Sequence, residues 1–137
     1  MKVAKYIVFL FLISSCAAQS KLTNVIIEYS AVTRGTNIEI KLTSKEIKYK
    51  KNEAIKVVLL TANQPRKIES LIQQIKLEKL ETFVAPTTNS HSDRALQATL
   101  KITKNKKMYS SQTFDHGNPP EELKPLLKYL FKVLEIE

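Results

Sequence analysis

The chain has 137 residues, 43% of them hydrophobic, and 22 Lys and Arg stand against 13 Asp and Glu for a formal charge of +9. That length fits one domain around one core, and the single cysteine excludes both an intramolecular disulfide and a cysteine-rich metal site. Despite the basic balance, the chain has no tryptophan and no aromatic platform of the RRM or OB kind, so nucleic acid is not an expected partner.

Lys2 and Lys5 precede an apolar stretch over residues 6–13, and Ser14-Ser15-Cys16 closes it. A positive start, an apolar centre of roughly 7–15 residues and a small-residue end are the parts of a secretory signal. The apolar stretch is well short of the ~20 residues that a spanning helix needs. Ile13-Ser14-Ser15-Cys16 resembles the lipobox of bacterial lipoproteins. That resemblance implies lipidation of Cys16, cleavage just before it and attachment to a membrane through the acyl chains. The expected organisation is a signal peptide over 1–15, a lipidated cysteine and tether over 16–23, and one domain over 24–137. Residue 17 is Ala rather than the Asp of an inner-membrane retention signal, and no acidic cluster follows Cys16. By resemblance to enterobacterial sorting signals, the first implies passage to the outer membrane, and the second leaves no surface-export signal, so the expected place in the cell envelope is the periplasmic face of the outer membrane. Removal of residues 1–15 leaves 122 residues with a formal charge of about +7.

Residues 24–32 alternate, with Val25, Ile27 and Tyr29 on one face, as a half-buried strand does. Thr33-Arg34-Gly35-Thr36 reads as a turn with Gly35 at a positive φ. Ile38, Ile40 and Leu42 mark a second strand, Ile47 and Tyr49 a third, and residues 55–60 a shorter apolar one, together an antiparallel meander. The period then lengthens. Pro65 suits a first helical turn, and Ile68, Leu71, Ile72 and Ile75 form a helical stripe facing the sheet. Leu77, Leu80 and Phe83 suggest a further helical turn, and residues 86–92 a polar loop. Leu96, Ala98, Leu100 and Ile102 alternate again, and Lys104-Asn105-Lys106 turns the chain into residues 107–114 as a hairpin. Leu123, Leu126, Leu127, Leu130 and Leu134 form a second helical stripe, opened or bent by Pro125. The expected class is α+β: an antiparallel sheet of meander and hairpin, with two helices packed on one face.

Polar segments flank the second hairpin: His91-Ser92-Asp93-Arg94 before it, and Asp115-His116-Gly117-Asn118 after it. The outer ends of a hairpin lie side by side, so the only two histidines and the only two aspartates of the chain can converge there. Imidazole with carboxylate suits a metal ion, and an Asp–His pair suits acid–base work. The simpler reading has Asn118 capping a helix that begins at Pro119 and Pro120, with Glu121 and Glu122 in its first turn. The spacing matches no hydrolase or metalloprotease motif, so no catalytic residue, resident metal or cofactor is assigned. Arg34, His91, Asp93, Arg94, Asp115, His116 and Asn118 are retained as a candidate loop for a ligand or partner.

Thr33-Arg34-Gly35-Thr36, Asp93-Arg94-Ala95, and Tyr109-Ser110-Ser111 running into Phe114-Asp115-His116-Gly117-Asn118-Pro119-Pro120 resemble segments of a group of uncharacterised small lipoproteins of Bacteroidetes-type bacteria. The likeness covers most of residues 24–134, and the segment 114–120 is its most specific part. It implies a sheet-plus-helices domain and brings no catalytic residues with it. The expected function is that of a membrane-anchored binding module. Its expected partners are the membrane, through the lipid on Cys16, and an envelope protein or an anionic envelope component met by lysine clusters such as Lys45, Lys48, Lys50 and Lys51. The alternative is a small envelope enzyme or metal-binding protein built on Asp93, Asp115 and His116.

Overall fold

A computed structural model describes residues 22–92 and 95–136. In chain order it contains β1 (Val25–Thr33), β2 (Thr36–Leu42), β3 (Glu46–Lys51), β4 (Ala54–Leu59), α1 (Gln64–Gln73), β5 (Gln97–Lys104), β6 (Lys107–Ser110), β7 (Phe114–Asp115) and α2 (Lys124–Leu134). The strands form one seven-stranded antiparallel sheet in the order β4-β3-β2-β1-β5-β6, with β7 also paired to β5. The α+β class expected from the sequence is the class observed.

Period-two alternation sends one face of the sheet inward. Val25, Ile27, Tyr29 and Ala31 of β1, Ile38, Ile40 and Leu42 of β2, Ile47 of β3 and Ala98, Leu100 and Ile102 of β5 are all buried. They pack against Ile68, Leu71 and Ile72 of α1 and Leu126, Leu127, Leu130 and Leu134 of α2. Those helical residues recur every three or four positions, so each helix presents one apolar stripe to the sheet. With no disulfide available, this apolar layer holds the domain together. Full burial of a side chain of this size contributes about 1.5–3 kcal/mol.

The turns follow from local chemistry. Asn105 and Lys106 take φ of 51° and 67°, the two positive values of a type I′ turn, and they bring Lys104 opposite Lys107. Asn52 takes φ 52° between β3 and β4, and its side-chain oxygen accepts from the Asn37 amide at 2.8 Å. Gly35 departs from expectation: the β1–β2 turn closes without a positive φ there, and that conformation falls instead on Gly117, at 84°.

Two further differences have physical reasons. Leu22, counted by sequence with the tether, is buried in the core, because the chain enters β1 through a 3-10 turn at Leu22–Asn24 that packs against α1. The strand expected over residues 107–114 is divided into β6 and β7. At the break, the Ser111 amide donates to the Leu100 carbonyl at 2.8 Å and the Ser111 hydroxyl accepts from the Leu100 amide at 3.0 Å. A side chain thus replaces one backbone partner and lets the strand bend. The helical turn expected around Leu77 and Leu80 is present as a 3-10 turn, Leu77–Thr82, with both leucines buried.

The other face of the sheet is open among the described residues. It carries the Glu28–Lys41 ion pair at 3.0 Å and the Ser30–Thr99 hydroxyl pair at 2.8 Å. On its edge strand β4 it carries Ile55, Val57 and Leu59, which are 58%, 50% and 71% exposed. No helix of the described residues is long and apolar enough to cross a membrane.

Candidate functional site

The candidate segment begins where β7 joins β5. Phe114 pairs with Ala98 and Asp115 with Gln97, and the His116 amide then donates to the Leu96 carbonyl at 2.9 Å. In the same row of the sheet Ala98 faces Ala31, and Ala31 faces Ile38. Two alanines side by side leave room above them for rings. Tyr29, Phe114, His116 and Phe131 fill it, with Tyr29 edge-on to Phe131 at 5.6 Å and at 6.2 Å from Phe114 between centroids.

His116 lies 5.9 Å from the Tyr29 ring and 6.0 Å from the Phe131 ring, and its Nδ1 is 2.6 Å from the Tyr29 hydroxyl. Burial drives the imidazole pKa below its usual value, and the charge of Lys51 adds to the effect. Burial drives the phenol pKa of Tyr29 far upward. Both groups are therefore neutral near pH 7. The phenol is the more acidic of the two, so its O–H donates to Nδ1 and the imidazole proton sits on Nε2.

Asp115 is 2% exposed. Its carboxylate accepts a hydrogen bond from the Thr87 hydroxyl and another from the Asn89 amide at 2.8 Å. The Asn118 side-chain amide donates to the Thr87 hydroxyl at 2.9 Å, and the Asn118 backbone amide donates to the Asp115 carbonyl at 2.9 Å. Gly117, in the left-handed region, reverses the chain between them. Residues 87–89 and 115–118 are thereby laced together, and the turn Asn89–Ser92 lies against β7.

These contacts distribute the residues singled out by sequence. Asp115 and Asn118 share one network, and His116 belongs to another with Tyr29. Asp115 and His116 do not bond each other, since their side chains meet different partners. Asn118 does not cap a helix. Residues 121–123 make a turn in which the Leu123 amide donates to the Pro120 carbonyl at 2.9 Å, and α2 begins at Lys124 behind Leu123 with Pro125 in its first turn. Arg34 is exposed in the β1–β2 turn, at the same end of the sheet as β7, since Val32 pairs with Gln97 and Gln97 with Asp115. His91 lies in the Asn89–Ser92 turn, but its side chain, like Asp93 and Arg94 entirely, lies outside the described residues. Among the described residues no three His, Cys, Asp or Glu side chains gather to hold a metal ion.

Sequence reasoning missed Tyr29, Thr87 and Phe131. Tyr29 had a signal: it is the one aromatic residue on the inward face of β1, and a buried phenol needs a partner. Beside this segment an open groove of about 520 Å³ runs along α2, lined by Pro119, Lys124, Pro125, Leu127, Lys128 and Phe131. Lys124 is paired with Glu121. No family model, no curated protein and no solved structure matches this chain.

Proposed function

We propose that the chain is a lipid-anchored protein of the bacterial envelope, facing the periplasm from the outer membrane, whose domain works as a binding module. The observation that carries the anchor is the setting of Cys16: the only thiol of the chain stands directly after Ile13-Ser14-Ser15, at the end of a short apolar stretch headed by Lys2 and Lys5. Two or three acyl chains on one residue make a durable attachment, since each buried methylene contributes ~0.8 kcal/mol. Binding is favoured over catalysis because Asp115, Asn118 and His116 spend polar atoms on Thr87, Asn89 and Tyr29. A general acid or base needs a free face toward substrate, and Asp115 is buried with its carboxylate held by Thr87 and Asn89.

The test is metabolic labelling with an alkyne fatty acid in a bacterial host, comparing the natural chain with Cys16→Ser. Label on the first and none on the second is the expected result, with the natural chain in the outer-membrane fraction. A natural chain without label would overturn the anchor. Cross-linking in the intact envelope followed by capture of the labelled protein addresses the binding role. Recovery of the protein alone, with no cross-linked species, would count against it.

A further inference from the structure

We infer that β4 is the surface through which this chain pairs with a second copy of itself, antiparallel about a two-fold axis at Val57, so that the sheet continues across both copies. Among the described residues β4 pairs only with β3. The Leu60 amide donates to the Lys45 carbonyl at 2.9 Å. Backbone polar groups alternate along a strand, so Val58, Lys56 and Ala54 also point toward β3, while Ile55, Val57 and Leu59 aim their N–H and C=O groups at the free edge. The same three residues place half-exposed or more exposed apolar side chains on the open face of the sheet.

A bare edge of this kind templates pairing with another chain, and a lysine on the edge is a common guard against it. Here the guard is turned inward. The Lys56 ammonium donates to the Leu134 carbonyl at the end of α2 at 2.6 Å and lies 3.5 Å from Glu135. It satisfies a helix C-terminus and complements its dipole instead of standing in the way of a neighbour.

The pattern of β4 is self-complementary in one register. With Val57 opposite Val57 of the second copy, Ile55 meets Leu59 on both sides of the axis. Every outward N–H and C=O of the three residues then finds a partner, and all the side-chain pairs on the open face are apolar. On the inner face Lys56 stands opposite Val58. Sliding the strands so that Ile55 meets Val57 would set Lys56 directly opposite Lys56, which like charge disfavours. Sliding them the other way centres the pair on Val58 and loses the Ile55–Leu59 contacts. Charge also favours the Val57 axis: each Lys56 arrives with Glu135 beside it, so the two diagonal lysines are met by carboxylates. A strand pair alone is small beside the ~1,000 Å² of a stable interface, so the association is of the micromolar-to-millimolar kind.

The inference is independent of the lipid anchor, and its test removes the anchor site. In the full-length chain with Cys16→Ala, single cysteines are placed at Lys56, Val57, Val58, Leu59 and, as a control in a loop, at the 80% exposed Val84. The Val57 Cα atoms of the two copies would stand about 5.5 Å apart, inside the roughly 4.4–6.8 Å span of a disulfide. The Leu59 pair would stand ~13 Å apart. Under mild oxidation Val57→Cys is expected to form disulfide dimers about tenfold or more faster than Val84→Cys or Leu59→Cys, through the raised local concentration of the paired strands. By sedimentation the Cys16→Ala chain is expected to self-associate below about 1 mM, and Val57→Lys in the same background to stay monomeric. Equal rates at Val57 and Val84 would overturn the proposal. So would fastest cross-linking at Lys56 or Val58, or a Cys16→Ala chain that is monomeric throughout and pairs β4 only with a strand of a different protein.

Discussion

Replacing Tyr29 by Phe isolates the bond that ties the central strand β1 to the segment after β7. The substitution keeps the ring, which is 2% exposed and touches Phe114, Phe131 and His116, so no cavity opens and the apolar burial is unchanged. What goes is the hydroxyl and its 2.6 Å bond to His116 Nδ1. A neutral hydrogen bond contributes about 0.5–1.5 kcal/mol net, and a polar atom left buried without a partner costs about 1–3 kcal/mol. His116 is only half-buried, so water can replace part of the loss, and the expected destabilisation is about 1–2 kcal/mol. Urea unfolding at pH 7.5 measures it. A cycle with His116→Ala and the double variant should give a coupling of about 1 kcal/mol. Proton NMR adds a second readout: the phenol is bonded to Nδ1, so its removal in Tyr29→Phe should move the His116 titration. A Tyr29→Phe chain as stable as the natural one, with no coupling to His116 and no movement of its titration, would refute the assignment.

The depressed His116 pKa sets a pH dependence. The unfolded chain takes up its proton near pH 6.5 while the folded chain resists until lower pH, so this contribution to stability is complete above about pH 6.5 and is lost as pH falls through the folded value. Urea midpoints measured between pH 8 and pH 5 should fall on acidification and should fall less in His116→Ala; equal slopes would dissociate the histidine from the effect. Ser111→Ala removes the acceptor of the buried Leu100 amide at the break between β6 and β7 and should cost about 1–3 kcal/mol. Urea unfolding would show it, whereas Ser110→Ala, at an exposed position next to it, should stay within about 0.5 kcal/mol.

The strands and helices were legible because the inward face of each follows a simple period, and the α+β class rests on that alone. What the sequence concealed was how partners are shared. Asn118 before Pro119 and Pro120 has the form of a helix cap, yet its side chain is drawn to Thr87, more distant in sequence than any cap partner. Asp115 and His116 are adjacent and chemically matched, yet Asp115 faces residues 87–89 and His116 faces β1. Periodicity reports which face a residue occupies, and pairing across loops lies beyond it. The break at Ser111 is likewise invisible to alternation, because a serine hydroxyl standing in for a backbone carbonyl leaves no mark on the pattern of apolar residues.

The two faces of the sheet carry different burdens. On the inward face nearly every apolar side chain is buried, and truncating one, as in Leu100→Ala, would cost about 2–5 kcal/mol. On the open face Ile55, Val57 and Leu59 contribute little to folding, since substitutions at positions so exposed usually shift stability by no more than about 0.5 kcal/mol. Folding therefore does not account for three consecutive outward apolar residues on a strand whose free edge is otherwise a liability. Lys56 sharpens the contrast, for the cation that could guard that edge is employed at the C-terminus of α2. Stability and association thus rest on separate residues of one strand. Lys56→Met should loosen the end of α2 while leaving the Val57 axis intact, and Val57→Lys should abolish pairing while leaving the urea midpoint unchanged.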